Sequence, residues 1–242
     1  MILEQTTTDL ATAAGPMRTY VYRPVREARY PGVVLFSEIF QRTGPIHRLA
    51  ALLAGHGFVV AVPEIFHELE PAGTVLAYDQ AGADAGNHHK KAKAIAAYDE
   101  DARAVLDHLQ GREDVSGPLF AVGVCIGGHL AFRAALDPRV LRAVCFYATD
   151  LQQSTLGKEG DDSLQRAREI QGELTLVWGR QDPHVPEAAR LEIRARLGEA
   201  GPSFTWHEVN AQHAFLRDEG PRYDPALALW AYRLMLDAFR AP

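Results

Sequence analysis

The stretch Leu119-Phe120-Ala121-Val122-Gly123-Val124-Cys125-Ile126-Gly127-Gly128-His129-Leu130 decides how the rest of the sequence is read. The apolar run from Leu119 to Val124 has the character of a strand buried on both faces, and the run from His129 to Leu136 that of a helix. Between them the chain must turn sharply. Gly123 and Gly127 stand two residues either side of Cys125, where a Cβ would meet the turning backbone, and Gly128 lets the helix lie close to its strand. A strand–turn–helix of this form holds its apex residue, under strain, at the top of the sheet. The apex here is a thiol, which suits acyl transfer through a cysteine nucleophile.

Working outward, Gly32–Ser37, Phe58–Val62, Val140–Tyr147, Leu174–Trp178 and Phe204–Val209 also read as strands. Thr19–Pro24 alternates like an edge strand and stops at proline, and Met1–Pro16 is weakly patterned, a leading strand or arm. Helical spacing recurs in Pro45–Ala54, Ala92–Leu109, Pro186–Leu197 and Pro225–Phe239. Strands alternating with helices predict an α/β fold, a mostly parallel sheet flanked by helices on both faces, in a single domain spanning 1–242. Glu64–Lys91 and Ala148–Gly172 carry no clear period and are expected as long loops over the site.

Composition narrows the function. A net charge of −6 without a basic stripe argues against nucleic acid as a partner. No apolar stretch approaches the length of a membrane span, and the polar, acidic start of the chain is not expected to act as a signal peptide. Two cysteines give no disulfide framework. These features lead us to expect a cytoplasmic location, where a nucleophilic thiol stays reduced.

A thiol of ordinary pKa is mostly neutral at pH 7, so a catalytic cysteine needs a base and a group that orients that base. In an α/β-hydrolase fold the order is nucleophile, acid, histidine, each at the carboxyl end of a strand. Asp182, in Trp178-Gly179-Arg180-Gln181-Asp182-Pro183, stands where the acid belongs. His213, in Asn210-Ala211-Gln212-His213-Ala214-Phe215, stands where the base belongs. Chain order favours His213 among the ten histidines, with His184, two residues from Asp182, as the alternative. Cys145 falls mid-strand and reads as a small core residue.

The elbow Gly-Val-Cys-Ile-Gly-Gly, the segment Gly-Arg-Gln-Asp-Pro-His-Val-Pro and the segment Gln-His-Ala-Phe-x-Arg together resemble the dienelactone hydrolase family, the carboxymethylenebutenolidases. The resemblance runs from about Tyr20 to Phe239. It implies a Cys125–His213–Asp182 triad and a small-molecule lactone or ester substrate, with no cofactor and no metal. It further implies that Glu38 contacts the resting thiol and, when substrate binds, moves to take the thiol proton. The amides of Ile39 and Ile126 would form the oxyanion hole. Helix chemistry points the same way for Ile126, which opens a helix and has no intrahelical acceptor for its N–H. Arg217 matches an arginine that grips a substrate carboxylate, and Tyr147 resembles an active-site tyrosine. The family's second carboxylate-binding arginine has no counterpart in Asn87-His88-His89-Lys90-Lys91, which leaves Lys90 as the candidate in its place. A monomer or small homo-oligomer is expected. Two other readings stay open: an inactive binding protein on the same fold, and a thiol redox protein pairing Cys125 with Cys145.

Overall fold

The computed structural model describes residues 2–241; Met1 and Pro242, the ends of the expected domain, lie outside them. The strands are β1 (Leu3–Thr12), β2 (Gly15–Pro24), β3 (Tyr30–Phe36), β4 (Val59–Pro63), β5 (Val115–Val124), β6 (Val140–Phe146), β7 (Glu173–Gly179) and β8 (Ser203–Val209). The helices are α1 (Gly44–Gly55), α2 (Gln80–Ala92), α3 (Ile95–Gln110), α4 (Ile126–Ala134), α5 (Ser163–Arg166), α6 (Glu187–Ala200) and α7 (Pro225–Arg240). The strands form one sheet in the order β1-β2-β4-β3-β5-β6-β7-β8. The leading arm is β1, which pairs antiparallel with β2 as a hairpin, and β2 pairs antiparallel with β4. Every other pairing is parallel.

Strand pleating divides the core in two. In β3, Val34 and Phe36 pack into the cluster that holds the apolar faces of α3, α4 and α6. Their neighbours Val33 and Leu35 pack into the cluster that holds α1 and α7. A strand covered on both faces has no solvent side, so its sequence reads as a continuous apolar run. The order of strands reverses at β3, because β4 lies on one side of it and β5 on the other. The crevice above such a reversal is where open α/β sheets place their ligands. Both Glu38, just past β3, and Cys125, just past β5, open onto it.

Glu64–Lys91 departs from expectation, for its second half is α2. The Asp79 carboxylate caps this helix by accepting the Gly82 N–H at 2.8 Å. Its apolar stripe is too thin to show a period. What fastens it is close approach: a Cβ on Gly86 would lie 2.6 Å from the Ile39 carbonyl. The expected helix Ala92–Leu109 accordingly begins later, as α3, after a break at Lys93 and Ala94. Within Ala148–Gly172 the chain forms α5, a single turn. No helix among the described residues is long and apolar enough to cross a membrane.

Lys93, at the α2–α3 break, is fully buried, with its ammonium 2.7 Å from Glu68 Oε2 and against Asp101. Asp101 also faces His67 Nε2 at 3.1 Å. Lys93→Met would strand two carboxylates without their cation. Such a loss costs about 3–5 kcal/mol, to be read as a lowered urea midpoint at unchanged m-value. A change within ~1 kcal/mol would show that the network holds nothing in place.

Candidate active site

Five strand ends, those of β3, β5, β6, β7 and β8, and the α2 segment converge on one cavity of about 390 Å³, lined among others by Glu38, Ile39, Lys90, Cys125, His184, His213, Arg217 and Arg222. Cys125 sits at its floor with φ 61° and ψ −125°, a left-handed conformation that a non-glycine residue adopts only when its surroundings impose it. The imposing contacts are between backbones. A Cβ on Gly123 would strike the Gly127 carbonyl, and one on Gly127 would strike the Phe36 and Ser37 carbonyls. One on Gly128 would lie 2.7 Å from the Phe146 carbonyl. The elbow is therefore wedged between the ends of β3 and β6.

His213, after β8, and Asp182, after β7, are both buried, and His213 Nδ1 lies 2.7 Å from Asp182 Oδ2. The second oxygen, Asp182 Oδ1, accepts the His184 backbone N–H at 2.8 Å. His184 thus meets the acid through its main chain, while its ring packs edge-on against His213 with centroids 4.6 Å apart. The imidazole oriented by Asp182 is that of His213. Its ring lines the same cavity as the Cys125 thiol. Burial alone would strip the His213 proton, but a charge on Cys125, once its sulfur is ionised, and the Asp182 hydrogen bond overcome it and push the pKa up to about 10. Burial likewise disfavours the charge on Asp182, yet the bond from His213 holds its carboxyl below the usual range.

Glu38 is buried on the opposite wall. Among the described residues its polar partners are Tyr78, whose hydroxyl donates to Oε2 at 3.0 Å, and Arg217, whose Nη1 is 3.9 Å from the same oxygen. The carboxylate thus rests on Tyr78 and Arg217, and among the described residues it makes no hydrogen bond to Cys125. The Tyr78 hydroxyl, 2.6 Å from Thr43 Oγ1, stays protonated, because burial, with the Glu38 charge adding to it, pushes its pKa well up. The same ring carries the Arg217 guanidinium on its face, 4.4 Å from the centroid. Tyr78 touches both groups yet falls in a stretch with no periodicity, where nothing in the sequence marks it out.

The remaining expected residues fall as follows. Ile39 lines the cavity, and its amide donates to no acceptor among the described residues. Ile126 is the first residue of α4. Tyr147, with φ 37°, does not line the Cys125 cavity; it is buried behind His213 with ring centroids 5.0 Å apart, so it buttresses the imidazole. Lys90 lines the cavity, but its ammonium is already bound to both Asp150 oxygens, at 2.9 and 3.1 Å. Cys145 is fully buried in β6 in register with Gly123, both cysteines are free, and burial pushes the Cys145 thiol well up. That placement gives the redox pairing no support. Elsewhere, donor atoms of His67, Glu68 and Asp101 lie within 4.8 Å of one another, but the Lys93 ammonium already sits against both carboxylates.

The sequence matches the dienelactone hydrolase family over residues 17–242. A "Putative carboxymethylenebutenolidase" of Saccharomyces cerevisiae is 39% identical over 252 residues, covering 99% of this chain and 92% of the yeast protein. A carboxymethylenebutenolidase of Pseudomonas putida is 26% identical over 218 residues, covering 89% of this chain and 87% of that protein. Among solved structures, a "Putative Dienelactone Hydrolase" from Klebsiella pneumoniae superposes with a TM-score of 0.84 at 22% identity, covering all of both chains. At that identity the likeness speaks for the fold.

The electrostatics of His213 give a pH prediction. A histidine whose folded-state pKa is raised contributes stability that is complete below its ordinary value, near 6.5, and is lost as pH climbs through about 10. Cys125→Ser removes the charge that holds the imidazolium proton. The His213 titration, followed by ring-nitrogen NMR, should then fall by more than about one unit. An unmoved titration would show that the thiol does not carry that charge.

Proposed function

The chain belongs to the dienelactone hydrolase family, and from that premise we propose that it hydrolyses a lactone or activated carboxylic ester through a thioacyl intermediate on Cys125. The observation that carries the reading is the 2.7 Å bond between His213 and Asp182, with the imidazole turned toward Cys125 in a cavity large enough for a small lactone.

In the proposed cycle a substrate carboxylate approaches Arg217 and competes with Glu38 for the guanidinium. Glu38, released, takes the thiol proton and leaves Cys125 as a thiolate beside the His213 imidazolium. The 3.9 Å separation of Arg217 from Glu38 supports a resting pair loose enough to exchange. The thiolate attacks the carbonyl carbon. The developing oxyanion is held by the amides of Ile39 and Ile126, donors that spend nothing on reorganisation because the elbow fixes them beforehand. As the C–O bond breaks, His213 gives its proton to the leaving alkoxide, and the acyl group remains on sulfur. Water then attacks the thioester as His213 takes its proton; collapse frees the carboxylic acid and the Cys125 thiolate, and the proton held on Glu38 returns to the sulfur, leaving the thiol, the Glu38 carboxylate and the His213 imidazolium as at the start. Asp182 keeps the His213 tautomer that presents Nε2 to the reacting atoms.

Cys125→Ala should lower turnover of a small carboxylate-bearing lactone by at least about a thousandfold, as losses of other nucleophiles do. In the unmodified enzyme, acid quenching during turnover of an activated ester should leave an acyl mass on the peptide containing Cys125. Turnover that survives Cys125→Ala, or an acyl mass on another residue, would overturn the assignment. An unmodified chain that binds carboxylates and hydrolyses neither substrate would favour the inactive binding protein.

A further inference from the structure

Five charged side chains from outside the triad line the Cys125 cavity, and they do not cancel evenly. Lys90 is spent on Asp150, whose two oxygens it holds at 2.9 and 3.1 Å. A substrate anion at Lys90 would have to break that pair or sit against the Asp150 charge. Arg217 stands 3.9 Å from Glu38, and its buried Nε has no hydrogen-bond partner. Arg222 has neither an ion-pair nor a hydrogen-bond partner among the described residues, so its charge is uncompensated. Arg222 lines the cavity together with His184 and Arg217.

Arg222 is also well held. It comes from the same β8–α7 connection as Arg217. That connection is tied down two residues later, where the Asp224 N–H donates to the Phe215 carbonyl at 3.1 Å. The Asp224 side chain also caps α7, accepting from the Ala226 and Leu227 amides at 3.0 Å each. A guanidinium on an anchored segment, half-buried at the wall of a cavity and without an acceptor, is suited to a ligand carboxylate.

We propose that Arg222 is the second carboxylate-binding residue of this site, acting with Arg217 in the role for which the sequence offered Lys90. The substrate class is then a lactone or activated ester carrying one carboxylate, seated between the two guanidiniums while its reacting carbonyl lies over Cys125. This rests on the hydrolase reading. When the substrate carboxylate draws Arg217 from Glu38, Arg222 keeps the arriving anion compensated throughout the exchange.

The test compares mono-p-nitrophenyl glutarate with its methyl ester, using the ratio of their kcat/KM values. Arg222→Gln should lower the carboxylate-to-methyl-ester ratio roughly tenfold or more, with the change in KM, since a charged hydrogen bond is lost. Removing the Lys90 pair without leaving a bare carboxylate, by Lys90→Gln together with Asp150→Asn, and Lys91→Gln at an exposed position of α2 as a control, should leave the ratio within about twofold. A ratio that follows Lys90 and not Arg222, or one that Arg222→Gln leaves unchanged, overturns the proposal. Binding of furoate, which has no scissile bond, is measured by calorimetry on the same variants. Weaker binding to Arg222→Gln than to the unmodified protein supports the proposal even if neither ester is hydrolysed, a result that would defeat only the hydrolase reading. Equal binding overturns the proposal.

Discussion

The contact on which the rest depends is backbone against backbone at the elbow. Gly123, Gly127 and Gly128 let the ends of β3, β5 and β6 and the start of α4 approach more closely than any side chain would allow. That approach fixes Cys125 at φ 61°. A non-glycine residue held there stores on the order of 1–3 kcal/mol, and the buried sheet around it resists relaxation. The thiol therefore projects into the cavity as a property of the packing. The same strand ends carry Glu38 and Tyr147, so the elbow also sets the spacing of the groups around it.

Two sets of charges work against each other across the cavity. On one side Asp182, joined by the Cys125 sulfur once it is ionised, holds a proton on a buried imidazole that burial alone would leave neutral. On the other, Tyr78 and Arg217 hold the Glu38 carboxylate. Each set is buried, so screening by salt is weak and small displacements change the charge distribution strongly. An arriving anion can act on the second set without touching the first. Lys90 and Asp150 neutralise each other and so take no part in that exchange.

Much of this was legible in the sequence because it is encoded locally. The elbow is one contiguous motif, the buried strands are continuous apolar runs, and the order Cys125, Asp182, His213 follows the chain. The separation of His213 from His184 needed the third dimension, since both lie near Asp182 and only the structure shows that His184 reaches it through its backbone N–H. The helix α2 escaped notice because it is held by glycine contacts and an Asp79 cap in place of an apolar stripe. Tyr78 escaped for the same reason, sitting in a segment whose structure is dictated by what it packs on. Arg222 left a faint trace, a second arginine in the connection that carries Arg217.

The sequence by itself determined the fold class and the family, and it placed the expected nucleophile, acid and base at the carboxyl ends of their strands, because periodicity and turn chemistry are properties of neighbouring residues. Tertiary structure alone decided which charges are already satisfied. Lys90 meets Asp150 across 60 positions and Glu38 meets Arg217 across a still longer span of chain. A side chain's freedom to bind a ligand depends on what the fold has brought against it, and no local pattern records that.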